Sequence, residues 1–254
     1  MEFYHAIVLG LVEGLTEFLP ISSTAHLLMA SHFLEIDADD LLFKNFAVVV
    51  QLGSILALLV LFWERFASGS AFWAKILVAF LPTGALGFLF NNLIESLLSS
   101  SVIAYPLILG GIVFILIEIT HKGKRYAISC FEEISFKQAF IIGCFQSLAL
   151  IPGVSRSGAT IIGGLLLGFD RKTATEFSFL LAFPTMVIAS GYSMLKHHDF
   201  FTIDYIGNLS VGMFVAFVTA LVAMKVLLAF IAHFNFVPFG IYRILIGIVF
   251  LFSF

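Results

Sequence analysis

Six stretches of this chain, 46–62, 73–90, 102–119, 177–195, 209–231 and 238–254, run almost without interruption through apolar residues. About 20 such residues, within a range of roughly 17–25, cross the hydrocarbon core of a bilayer as a helix. Lipid offers no hydrogen bonds, so a spanning chain must satisfy its backbone internally, as helices or as a closed barrel. Barrel strands alternate apolar and polar residues over about 10 positions, and these runs do not alternate. Composition agrees. The chain is 61% hydrophobic and 11% charged, whereas a soluble domain carries about 25% charged residues. The sequence therefore predicts an all-α polytopic membrane protein with six transmembrane helices. Pro82, Pro106 and Pro184 fall inside three of the spans, where neighbouring helices can satisfy the backbone groups they free.

Two further apolar regions are interrupted. Residues 3–34 are cut at Pro20 by "PISSTAH", and residues 136–169 at Pro152 by "PGVSRSGAT". Each consists of two short apolar arms around a polar middle, the pattern of a re-entrant hairpin that enters and leaves on one side. Ser135 to Gln138 reads as a capping box at the entry to the second hairpin, and Thr173 to Glu176 as another before the next span. The order is hairpin, three spans, hairpin, three spans: repeat one over 1–119 and repeat two over 136–254, within a single membrane domain. Three is odd, so the second half must be inverted relative to the first, as in many transporters. The two hairpins are then expected to enter from opposite faces and meet near the midplane. The likeness between "FLPISSTAH" and "LIPGVSRSGA" is weak; the second has one extra residue before its Ser, and Arg156 has no counterpart.

Basic residues predict the orientation. Lys122, Lys124, Arg125 and Lys137 lie in the loop 120–137, and Arg171 and Lys172 in 170–176, so both loops are expected in the cytoplasm. Residues 91–101 have no Lys or Arg and 196–208 have only Lys196, so both termini and the mouth of the first hairpin are expected outside. The start, "MEFYHAIVLG", lacks a positive region and Glu13 interrupts its apolar run, so it does not read as a cleaved signal peptide. Cys130 and Cys144 show no metal-site spacing. A net charge of −3 without a basic run points away from nucleic acid.

The chemistry lies in the two breaks. Glu13 and Glu17 are four residues apart and share a helix face. Paired carboxylates at membrane depth suit a divalent cation bound through oxygen, or one of them a proton-transfer role; the plainer reading is two acids hydrated at the membrane edge. After Pro20, Ser22, Ser23 or Thr24 can cap a helix, whose N-terminal N–H groups suit a phosphate. His26 follows Ser23 by three residues and Ser22 by four, on the same first turn. That pairing suggests nucleophile and base, or phosphate binder and general acid; the plainer reading is capping beside a buried neutral histidine. In the second break, Gly153 and Gly158 permit close backbone approach, while Ser155, Ser157 and Thr160 offer hydroxyls. Arg156 there suits phosphate oxygens, unless it snorkels or pairs with a structural acid. Arg243 and Lys225, in or near the last spans, can also snorkel or pair with an acid; in the inverted arrangement Arg243 lies nearer the breaks and is able to support them. His197 and His198 read as solvated. Gln51 and Glu176 open spans beside the hairpins as candidate outer partners.

Taken together, "EGLTEFLPISSTAH" and "PGVSRSGAT" resemble the bacterial undecaprenyl-diphosphate phosphatase family of the bacitracin-resistance type. The stretches "QLGSILALLVLFWERF", "EFSFLLAFPTM" and "PFGIYRILIG" extend the resemblance over nearly the whole chain. One departure is Ala25, where the family usually has Gly; Ala is small and suits a helix start. The resemblance implies a multi-pass enzyme of the bacterial inner membrane, open to the periplasm. It removes the terminal phosphate of undecaprenyl diphosphate with a divalent cation such as Mg²⁺ or Ca²⁺, and so recycles the lipid carrier for peptidoglycan. The family's motif residues map onto Glu13, Glu17, Ser23, His26 and Arg156. The partners implied are a prenyl diphosphate lipid and the bilayer, and a homodimer is left open.

On this reading Glu13 and Glu17 hold the metal, and Arg156 with Ser22, Thr24, Ser155, Ser157, Gly158 and Thr160 hold phosphate. The attacking group is Ser23 helped by His26, or a water oriented by His26 or Glu17. The rival class is an inverted-repeat transporter or flippase for a lipid phosphate or another anion. Transport alone, however, needs no general acid or base.

Overall fold

The computed structural model describes residues 2–90, 100–121 and 127–253. Among these the helices are α1 (Phe3–Thr16), α2 (Ser23–Phe33), α3 (Leu41–Val49), α4 (Gln51–Leu61), α5 (Trp63–Phe66), α6 (Ser70–Leu89), α7 (Ser100–His121), α8 (Phe136–Ser147), α9 (Arg156–Leu166), α10 (Arg171–Lys196), α11 (Ile203–Ile231) and α12 (Val237–Ser253). Five segments are long and apolar enough to cross a membrane: Leu41–Leu61, Ser70–Leu89, Ile103–Thr120, Arg171–Lys196 and Tyr205–Ile231. The expected sixth span, 238–254, is the 17-residue α12, about 26 Å long at 1.5 Å per residue. Both interrupted regions form two short helices around a break, α1–α2 and α8–α9. Of the basic residues used for orientation, Lys122, Lys124 and Arg125 lie outside the described residues, as does 91–99.

Local signals explain several helix starts. Asp40 caps α3 by accepting from Leu42 N at 3.0 Å, so this span starts five residues before the expected 46. The capping box at α8 is present: Gln138 N donates to Ser135 Oγ at 3.2 Å, and Ser135 N to Gln138 Oε1 at 2.9 Å. The second expected box is corrected. Helix α10 starts at Arg171, and Asp170 Oδ1 accepts from Thr173 N at 2.6 Å. Thr173 therefore sits inside the first turn, because a carboxylate three residues earlier takes the free N–H first. Glu176 lies 3.8 Å from Lys172 one turn back.

The chain forms two compact units, each drawing on both halves of the sequence. The first comprises Met1–Leu19, Ser23–Ala67 and Phe183–Lys225. Its core joins Ala6, Leu9, Leu27, Phe43, Phe46, Val49, Tyr205 and Leu209. Apolar side chains gain little by leaving lipid for each other, so close packing at small residues must hold membrane helices together. Here that packing is α1 on α11. A Cβ on Gly10 would meet the Gly212 carbonyl, and one on Gly14 the Ala216 carbonyl and the Thr219 hydroxyl. Several of its buried polar groups are paired. Tyr205 donates to Asn45 Oδ1 at 2.5 Å, Asn45 Nδ2 to Ser193 Oγ at 2.9 Å, and Ser190 to the Val48 carbonyl at 2.7 Å.

The second unit comprises Pro20–Ser22, Ser68–Ala182 and Val226–Phe254. Helices α7 and α12 meet where Gly111 and Gly240 face each other's main chain, while Gly143 of α8 packs on the Ala79 carbonyl of α6. Glu118, buried near the end of α7, ties three helix ends. Its carboxylate accepts from Arg171 Nε at 2.9 Å and Nη2 at 2.6 Å, and from Phe236 N at 3.0 Å. Arg171, expected only as a topogenic charge, thus has a buried partner.

Two contrasts test this packing by thermal unfolding in detergent. Gly10→Ala forces main chain apart and is expected to cost about 1–3 kcal/mol. Gly207→Ala, on α11 with nothing within 4 Å of an added Cβ, should be neutral or stabilising by up to about 1 kcal/mol. Glu118→Gln strands the guanidinium of Arg171 and is expected to lose about 3 kcal/mol, the lower end for a broken buried pair, since Arg171 is 27% exposed.

Candidate active site

The first unit carries the acids. Helix α1 packs through Gly10 and Gly14, so the residues beside them are buried. Glu13 is 0% and Glu17 8% exposed. Both belong to this buried face rather than to a hydrated edge. Helix α2 starts at Ser23, and Ser23 Oγ donates to Glu17 Oε2 at 2.5 Å. Such a short bond between hydroxyl and carboxylate is charge-assisted. It assigns Ser23 a partner that spacing did not select: the sequence pairs it with His26 on the same turn. His26 is half-buried, Ala25 buried and Thr24 exposed.

The second unit carries the cation. Ser155 caps α9, its Oγ accepting from Gly158 N at 3.1 Å. Ser155 has φ 71°, and Ser22, directly before α2, has φ 74°. A side chain in this left-handed region is strained and persists only where its surroundings impose it. Gly153, at φ 89°, lies so close to the Ile103 carbonyl that a Cβ would stand 2.6 Å from it. Arg156 is half-buried and donates from Nη1 to the Ser178 carbonyl at 3.0 Å. This anchors the guanidinium on α10. Ser157 and Thr160 are each 1% exposed. Their hydroxyls lie against protein: Ser157 Oγ is 3.2 Å from Ser155 Oγ, and Thr160 Oγ1 is 2.6 Å from Ser178 Oγ.

Of the readings the sequence allowed Arg243, support of the breaks is the one its contacts match. Arg243 neither snorkels nor pairs with an acid. It is 1% exposed, and its acceptors are main-chain carbonyls. Nη1 donates to Pro20 at 3.1 Å, and Nε to Leu107 at 3.3 Å. Nη2 lies 3.1 Å from the Pro106 carbonyl, 3.2 Å from that of Gly153 and 2.9 Å from that of Val154. The carbonyls of Pro20, Gly153 and Val154 lie outside the helices, and a guanidinium has five N–H donors to offer. The signal in the sequence was an Arg in the middle of an apolar span. Gln146, also missed, is 0% exposed and donates to Thr83 Oγ1 at 3.1 Å. Lys225 is exposed, and Gln51, at the start of α4, donates to the Ala47 carbonyl of α3, 3.3 Å away.

Among the described residues no three His, Cys, Asp or Glu side chains form a metal cluster. Two buried carboxylates and a hydroxyl nevertheless fit Mg²⁺, which takes one or two carboxylates and completes its shell with water and substrate phosphate.

Residues 6–249 match the family described as bacitracin resistance protein BacA. A protein of Wolinella succinogenes named undecaprenyl-diphosphatase is 57% identical, over 99% of this chain and 98% of its own length. Proteins of the same name from Campylobacter jejuni and a Sulfurihydrogenibium species are 52% and 51% identical; each match covers 98% of this chain, and 94% and 98% of the relative. With the match running through both breaks and nearly all of the helices between and after them, the chain belongs to the BacA family.

Proposed function

We propose that this protein hydrolyses undecaprenyl diphosphate to undecaprenyl phosphate and inorganic phosphate in the bacterial inner membrane, as the name of its relatives suggests. That activity returns the lipid carrier to peptidoglycan synthesis and accounts for bacitracin resistance. The observation that carries the reading is the 2.5 Å bond from Ser23 to a buried carboxylate, Glu17. A hydroxyl held on a base at a helix N-terminus is a phosphoryl-transfer device; a structural helix start needs no such acid.

The roles follow from charge. Arg156 and the N–H groups at the start of α9 bind phosphate oxygens and stabilise the charge that develops on them. Ser23 Oγ attacks the terminal phosphorus while Glu17 accepts its proton; the bond to the bridging oxygen breaks and undecaprenyl phosphate leaves, and water then hydrolyses the phosphoserine to inorganic phosphate with His26 as proton donor or acceptor. Glu13 and Glu17 would hold the divalent cation, which when bound neutralises charge on the diphosphate.

We further propose that α1–α2 and α8–α9 are re-entrant hairpins of an inverted repeat, that α12 is the sixth span, and that the site opens to the periplasm. Parallel details support the repeat. Ser22 and Ser155 share a positive φ directly before helices of 11 residues each. Gly14 packs on the Ala216 carbonyl and Gly143 on that of Ala79. Glu17 follows the first glycine by three residues, and Gln146 the second.

Phosphate release from undecaprenyl diphosphate by purified protein tests the function. Glu17→Gln, Arg156→Ala and Ser23→Ala should each lower kcat by about 10²-fold or more. Full turnover by Ser23→Ala would exclude it as nucleophile and leave water as the attacking group. Absence of release by the wild type, with lipid phosphate transport in liposomes, would favour a carrier instead. EDTA should abolish release and added Mg²⁺ or Ca²⁺ restore it. Glu13→Gln should raise the metal concentration needed for half-maximal rate by about 10-fold; an unchanged requirement would remove Glu13 from the metal site.

A further inference from the structure

Three observations converge on Arg243. One guanidinium binds the carbonyl of Pro20 in the first break and those of Gly153 and Val154 in the second. These carbonyls lie within a few residues of the two helix starts, at Ser23 and Arg156. The residues directly before those starts, Ser22 and Ser155, hold backbone conformations that neighbours must impose. The rest of the setting is built around the clamp. Nε and Nη2 reach the Leu107 and Pro106 carbonyls of α7. The absence of a side chain at Gly110 leaves room for the guanidinium: a Cβ there would overlap Nη2 and stand 2.8 Å from Cζ. A Cβ at Gly158, in the first turn of α9, would lie 3.0 Å from Nη1.

We infer that Arg243 is a positioning residue of the phosphatase reaction, a clamp that fixes the chain leading into each of the two helix starts without touching substrate. The inference rests on the proposed phosphatase activity. Catalysis is more sensitive to alignment than binding is: a displacement of about 1 Å at the reacting groups costs about 10²-fold in rate. Affinity for a long prenyl chain and a multiply charged headgroup depends on many contacts and is less affected. Lysine is a poor substitute, since an ammonium offers three donors from one point whereas the guanidinium spreads five over a rigid plane.

The test is steady-state turnover of undecaprenyl diphosphate by purified, monodisperse wild type, Arg243→Lys, Arg243→Ala and Gly110→Ala. Gly110→Ala keeps the charge and displaces the clamp. Arg243→Ala and Gly110→Ala should lower kcat by about 10²-fold with KM within about threefold, and Arg243→Lys should fall between them and wild type. Millimolar guanidinium should restore part of the Arg243→Ala turnover, whereas equal sodium chloride should not. Wild-type kcat per folded molecule in Gly110→Ala overturns the inference, whether or not the Arg243 variants fold. So does a rise in KM alone, which would make Arg243 a binding group, or a loss of folded protein with unchanged kcat, which would make it purely structural. An inactive wild type would instead refute the phosphatase reading, so the two failures are distinct.

Discussion

A main-chain carbonyl in lipid must find its donor within the protein, and an interrupted helix is where donors run out. This chain interrupts two of its apolar segments with proline and glycine, so several carbonyls leave the helical ladder. Each such group, left unsatisfied, costs several kcal/mol. Arg243 meets that cost for Pro20, Gly153 and Val154 together. The breaks are tolerable because of it, and the helix starts they create are what give the protein its chemistry. A buried positive charge is itself expensive; spread over a delocalised guanidinium and dipoles of several carbonyls, it becomes part of the framework.

The same logic governs how the acids come to be buried. Helix α1 approaches α11 through Gly10 and Gly14, close enough that a methyl group would strike main chain. That apposition fixes the rotation of α1 about its axis. Glu13 and Glu17, which flank Gly14, are carried into the interior with it. A carboxylate so placed binds tightly to whatever donor reaches it, and the donor from the neighbouring helix is Ser23. Packing at glycine, burial of acid and the bond from a hydroxyl to that acid are thus consecutive consequences of one short sequence, "GLVEGLTEFLPISS".

In the second unit the guanidinium of Arg156 is held by main chain. Arg156 sits one residue past a strained serine, at the first position of α9, and its Nη1 is tied to the Ser178 carbonyl. Fixing one edge of the guanidinium reduces the entropy lost on capturing an anion. Thr160 and Ser178 brace the same corner through their hydroxyls. They bear on the orientation of the arginine, because Thr160 Oγ1 also lies 3.0 Å from the Arg156 carbonyl.

The sequence by itself determined the class of fold, because long apolar runs in a chain with so few charges leave few alternatives to membrane helices. It also located both breaks and the acids, hydroxyls, histidine and arginine within them, since polar groups stand out against an apolar background. Helix starts were legible only where one cap was available. At α10 Asp170 and Thr173 competed, and the carboxylate prevailed. Tertiary structure decided the pairings. That Ser23 meets Glu17 depends on how the chain turns back across the break between them, and that Arg156 leans on Ser178 and Arg243 on Pro20 depends on contacts between segments 22 and 223 residues apart. A main-chain carbonyl has no letter of its own in a sequence, so the acceptors of Arg243 are visible only once the chain has folded around them.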